Sequence, residues 1–124
     1  MIVGLGIEGV EAPRFARAAA RFGDRLARRL FTDSERAHAA ARALGAEGLA
    51  VRFAAKCATR RALGGGAIGW RDIEVVSARS GAPELRLHGA AARRASVLGV
   101  ARSAVSLSHD RGACVAHVVL ERDP

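Results

Sequence analysis

Apolar and polar positions follow helical spacing through most of the first half of the chain and alternate through much of the second, with Gly64-Gly65-Gly66 between the two regimes. The first stretch, Met1 to Val10, is an apolar run broken by Gly4 and Gly6. It predicts a buried strand whose glycines let another backbone or a ligand come close, with Glu8 near its end. Pro13 suits the first position of a helix. From there Phe15, Ala18, Phe22, Leu26 and Leu30 recur as one apolar face. Arg14, Arg17, Arg21, Arg25 and Arg28 follow the same period displaced around the helix, so one face packs and the other is a ladder of guanidinium groups. Thr32 and Glu35 have the spacing of a capping box, which predicts a helix start and a short alanine-rich helix to about Leu44. After Gly45 a longer helix is predicted from Ala46 to Leu63. It carries Cys57, and the triple glycine ends it.

Beyond Ile68 the period shortens to two. Asp72 to Val76 and Glu84 to His88 alternate, separated by Ser80-Gly81-Ala82-Pro83, as a β-hairpin requires. Ala90 to Leu98 predicts a further small helix. Ala104 to Ser108 and Ala113 to Leu120 predict two strands joined by the tight polar turn His109-Asp110-Arg111-Gly112. The pattern is α+β, helices grouped early and strands late. With 124 residues, no internal repeat and no linker, one domain over residues 1–124 is expected.

Charge sharpens this picture. The net charge of +8 favours an acidic partner, and 19 of the 20 basic residues are arginine, suited to paired hydrogen bonds with phosphate or carboxylate. Lys56 is the only lysine. Nucleic acid is a poor candidate, because the chain has no tyrosine, few aromatics and no recognition motif. Cys57 and Cys114 lack the spacing of a zinc knuckle or a disulfide framework, which fits a reducing cytoplasm. No apolar run approaches the ~18 residues that span a bilayer, and the first residues lack a basic leader, so neither a membrane anchor nor a signal peptide is expected.

Five blocks in order carry a resemblance. Gly4-Leu-Gly-Ile-Glu8-Gly-Val-Glu11 with Arg14-Phe15, Leu30-Phe31-Thr32 with Glu35, and Arg52-Phe-Ala-Ala-Lys56 are followed by Gly69-Trp70-Arg71-Asp72-Ile73-Glu74-Val75 and Val105-Ser-Leu-Ser-His109-Asp110. Together they resemble the holo-acyl-carrier-protein synthases, the small trimeric branch of the 4'-phosphopantetheinyl transferases. The resemblance implies that family's fold, a long helix with antiparallel strands, and a trimer with coenzyme A in clefts at the subunit boundaries. It implies transfer of the phosphopantetheine arm of coenzyme A to a serine of apo-acyl carrier protein, releasing adenosine 3',5'-bisphosphate. It also implies magnesium, held by an aspartate and a glutamate, at the pyrophosphate.

Three departures fall at that centre. Glu8 stands where the family pattern has the aspartate, Cys57 where it has the glutamate, and Arg61 where it has a lysine. Glu8 is then the surviving acidic metal ligand. On the family pattern Arg52, Lys56, Arg61 and His109 hold phosphates, the loop at Gly64 and Gly65 lies near coenzyme A, and Arg14, Arg17, Arg21 and Arg25 dock the acidic helix of the carrier. Cys57 reads in more than one way. Leu49 and Phe53 share its helical stripe, which suits a small buried hydrophobe. Alternatively Arg61, one turn on, lowers the thiol pKa and makes a Glu8, Cys57 and His109 constellation for acid, base or nucleophile work on a carrier-tethered acyl or polyketide intermediate, such as a cyclisation. Zinc on the same trio is a third reading, and a carrier-binding protein without catalysis is a fourth. His38, His88 and His117 match no motif and read as surface or packing residues.

Overall fold

The computed structural model describes all residues from 1 to 124. Strand β1 (Ile2–Glu11) runs into helices α1 (Ala12–Phe22), α2 (Asp24–Leu30), α3 (Asp33–Ala41) and α4 (Ala46–Ala62), the longest element. A 3-10 turn (Trp70–Asp72) leads into β2 (Ile73–Ser77), and β3 (Pro83–Leu87), α5 (Gly89–Leu98), β4 (Arg102–Asp110) and β5 (Ala113–Glu121) complete the chain. The α+β class is as the patterning predicts, with the opening strand and the late helix α5 where it expects them.

Three antiparallel strands in the order β1-β5-β4 form the main sheet, and β2 and β3 form a separate antiparallel hairpin. Register places Glu8 opposite Ala116 and Ala116 opposite Leu107. Alternation then sorts the faces. Ala116, Val118 and Leu120 of β5 are fully buried against α4, while on the opposite face Leu5 and Ile7 of β1 are 59% and 52% exposed. Burying each large side chain of this kind contributes roughly 1.5–3 kcal/mol. The larger core joins Ala54, Ala55, Ala58 and Leu63 of the α4 region to the sheet, to Ile73 and Val75 of β2 and to Ala91 and Ala95 of α5. A second core gathers Phe15, Leu30, Phe31, Ala50, Val51 and Cys114 beneath α1 and α2.

Two predicted elements differ. The apolar face from Phe15 to Leu30 is not one helix: Gly23, with φ of 59°, breaks it, and Phe22 at the break is exposed. The helix begins at Ala12, so Pro13 is its second residue, still within the first turn where its missing N–H costs nothing. His109 belongs to β4, opposite Cys114, and not to the turn. The hairpin needs only Arg111 and Gly112, whose φ values of 52° and 82° suit the twist of the flanking strands. The capping box is as predicted: Thr32 Oγ1 accepts from the Glu35 N–H, and Glu35 Oε1 accepts from the Thr32 N–H.

Candidate functional site

The site starts from a close crossing of β1 and α4. A Cβ at Gly4 would collide with the Ala62 carbonyl oxygen, and one at Gly6 with that of Ala58. Only glycine lets the strand lie this tightly on the helix. Glu8 is the next residue of β1 on the same face, and its Oε2 accepts from Arg61 Nε at 2.8 Å. Cys57 lies one helical turn before Arg61. Glu8, Cys57 and Arg61, distant in sequence, therefore meet at one place.

The chemistry of that place differs from the expectation of a reactive thiolate. Burial, and after it the Glu8 carboxylate, push the Cys57 thiol up to about 11, outweighing Arg60 and Arg61. Near neutral pH the group is a thiol, and a nucleophilic Cys57 is not what the fold builds. Arg60 stacks on Trp70, its guanidinium carbon 4.3 Å from the ring centroid. The crossing also fits magnesium poorly. It offers one carboxylate, already engaged by a guanidinium, beside a neutral sulfur, whereas a hard divalent cation selects oxygen donors. Within one chain, no group of three His, Cys, Asp or Glu side chains converges to hold a metal ion.

His109 does not join the crossing. It sits on β4 with β5 between it and β1, a separation of roughly 10 Å at ordinary strand spacing. Its Nδ1 lies 2.5 Å from Glu47 Oε1 in the first turn of α4. Glu47 and Cys57 are ten residues apart, about 15 Å along a helix. Arg52 lies between these ends, half-buried, its pKa lowered by burial against the opposing pull of Glu35. The basic residues thus divide between the two ends of α4 and do not share one pocket within a chain.

Lys56, expected to hold phosphate, is a core residue. Its Nζ donates to Glu35 Oε1 at 2.6 Å, to the Trp70 carbonyl at 3.1 Å and to the Ile73 carbonyl, and the side chain is wholly buried. Burial lowers its pKa and Glu35 opposes that shift. Glu35 Oε2 also accepts from the Val75 N–H, and Thr32 Oγ1 donates to Glu74 Oε2, so the knot ties α3, α4 and β2 together. Sequence reasoning missed this use of Lys56. The signal was its singularity: Lys56 is the only lysine in a chain whose other basic residues are all arginine.

Gly64 and Gly65 follow α4 directly, both with positive φ, and they line a cleft of about 340 Å³ with Gly66, Ala67, Ala90 and Arg94. Arg94 Nε donates to the Leu63 carbonyl at 2.8 Å and so fixes the loop to α5. Arg14, Arg17, Arg21 and Arg25 are all exposed. Because of the break at Gly23, Arg25 projects from α2 and the other three from α1. Arg14 borders a cleft of about 410 Å³ lined by Val10, Glu11, Phe15, Ala18 and Phe53.

Residues 4–116 match the model of the 4'-phosphopantetheinyl transferase superfamily. The chain belongs to that family. A holo-[acyl-carrier-protein] synthase of Nitratidesulfovibrio vulgaris is 49% identical over 124 residues, covering 98% of this chain and 99% of the relative. The holo-[acyl-carrier-protein] synthase of Neisseria meningitidis superposes with a TM-score of 0.89 at 32% identity, over 98% of this chain and all of the other. That of Bacillus anthracis, solved in complex with coenzyme A (3',5'-ADP), gives a TM-score of 0.78 at 32% identity, over 99% of both chains. Within this phosphopantetheinyl transferase Glu8, Cys57 and Arg61 lie together at the β1–α4 crossing.

Proposed function

We propose that this phosphopantetheinyl transferase is a holo-acyl-carrier-protein synthase, moving the 4'-phosphopantetheine arm of coenzyme A onto a serine of apo-acyl carrier protein. The observation that carries the reading is the β1–α4 crossing, which presents Glu8 and Arg61 together in a chain that matches the family over residues 4–116. The carboxylate would accept the proton of the attacking hydroxyl, and the guanidinium would meet the phosphate charge.

Coenzyme A would lie across a boundary between copies of the chain. Arg61, Gly64 and Gly65 at one end of α4 would come from one copy, and Arg52 and His109 near the other end from its neighbour. The outward sheet face, with exposed Leu5 and Ile7 beside half-buried Val115 and Val119, supports an assembly of this kind, a homotrimer. The exposed Arg14, Arg17, Arg21 and Arg25 would dock the acidic helix of the carrier and steer its approach. Magnesium, the family's expected ion, meets only Glu8 here. No helix is long and apolar enough to cross a membrane, and free Cys57 and Cys114 suit the reducing cytoplasm where carrier proteins are loaded. Acid/base or thiol work on a tethered intermediate is the weaker reading, because the Cys57 thiol is held protonated.

Mass spectrometry of apo-acyl carrier protein incubated with this protein, coenzyme A and magnesium tests the reading. The mass of one phosphopantetheine should appear on the carrier serine. A carrier that binds but stays unmodified would instead indicate a non-catalytic carrier-binding protein.

A further inference from the structure

The centre of the site carries a different charge arrangement from the family pattern. Two carboxylates and a lysine would leave it net negative and in need of a divalent cation. Glu8, the neutral Cys57 and Arg61 leave it one unit more positive. Arg61 is also well placed to use that charge. Its Nε is held by Glu8 at 2.8 Å while the side chain as a whole stays 65% exposed. A guanidinium oriented in this way recognises two phosphate oxygens at once, which an ammonium cannot do.

We propose that Arg61, pinned by Glu8 across Cys57, neutralises the coenzyme A pyrophosphate itself, so that coenzyme A binding and arm transfer by this chain do not depend on a metal ion. The inference rests on the transferase reading above. In the step, the carrier serine Oγ forms a bond to the phosphorus bearing the pantetheine arm. The bridging P–O bond breaks, and its electron pair leaves with adenosine 3',5'-bisphosphate, whose new charge Arg61 meets. The serine proton passes to Glu8 Oε1, the oxygen that Arg61 does not occupy, and from there to water.

The test measures coenzyme A affinity by calorimetry and transfer by mass spectrometry on the full chain, in EDTA and in magnesium. Affinity and rate should change less than about threefold between the two conditions. Arg61→Met should weaken coenzyme A binding in EDTA by about tenfold or more, the effect of removing a charged hydrogen-bond donor. Its circular dichroism spectrum should be unchanged, since the side chain is largely in solvent. The double variant Cys57→Glu/Arg61→Lys should bind and transfer only with magnesium. Wild-type transfer that requires magnesium overturns the inference and leaves the transferase reading standing. No transfer in either condition overturns both.

Discussion

Two ion pairs anchored five residues apart on α4 have opposite settings. Lys56 and Glu35 meet at 2.6 Å with both side chains almost wholly buried, whereas Arg61 and Glu8 meet at 2.8 Å with 65% and 24% of their side chains exposed. The distances are alike, so geometry alone does not separate them. Solvent does. A buried pair is compensated only while both partners and their hydrogen bonds remain, and it therefore locks one arrangement of α3, α4 and β2. An exposed pair is screened and contributes little to stability, but it holds a charge in a defined direction where a ligand reaches it. The buried pair belongs to the fold, and the exposed pair is the one we propose for the chemistry.

The comparison breaks most sharply at Lys56. Lys56→Met leaves Glu35 buried without its cation and should cost about 3–5 kcal/mol, read by urea unfolding. A loss under about 1 kcal/mol would mean that the knot is dispensable. Gly6→Ala comes next. The new Cβ meets backbone and not a yielding side chain, so β1 must lift from α4 at about 1–3 kcal/mol, and Glu8 and Arg61 separate with it. Unchanged stability together with unchanged coenzyme A binding would contradict the close crossing. Glu8→Gln should alter the unfolding free energy by less than about 1 kcal/mol yet lower transfer, which divides the two pairs by readout. The smallest effect concerns Cys57. With the thiol held at about 11, iodoacetamide labelling of its peptide at neutral pH should be slow and should rise steeply only as pH climbs toward that value. Fast labelling at pH 7 would restore the thiolate reading.

The fold was legible where periodicity was unbroken. The alternation of β2 and β3, the capping box before α3 and the long α4 all follow from local pattern, because each is decided by neighbours within a turn or a pleat. The division of α1 from α2 was not, since Phe22 and Leu26 keep helical spacing across Gly23 and the period hides the turn between them. The polar run His109-Asp110-Arg111-Gly112 predicts a turn beginning at His109. The strand instead continues through His109, which reaches Glu47 while Ser106 and Ser108 face outward. The site was less legible than the fold. Glu8 and Arg61 are 53 residues apart, and no local pattern pairs them. Gly4 and Gly6 did announce a close backbone approach, although not which backbone. The role of Lys56 was misread because its motif suggested phosphate while its solitude among arginines pointed to the core.

One paired measurement tests the division between the two ion pairs most directly: the unfolding midpoint and the coenzyme A affinity of Lys56→Met and Arg61→Met, side by side. The account predicts that Lys56→Met lowers the unfolding midpoint by the equivalent of about 3–5 kcal/mol, whereas Arg61→Met keeps the wild-type midpoint and loses about tenfold or more in affinity. An Arg61→Met protein that binds coenzyme A as the wild type does would contradict it.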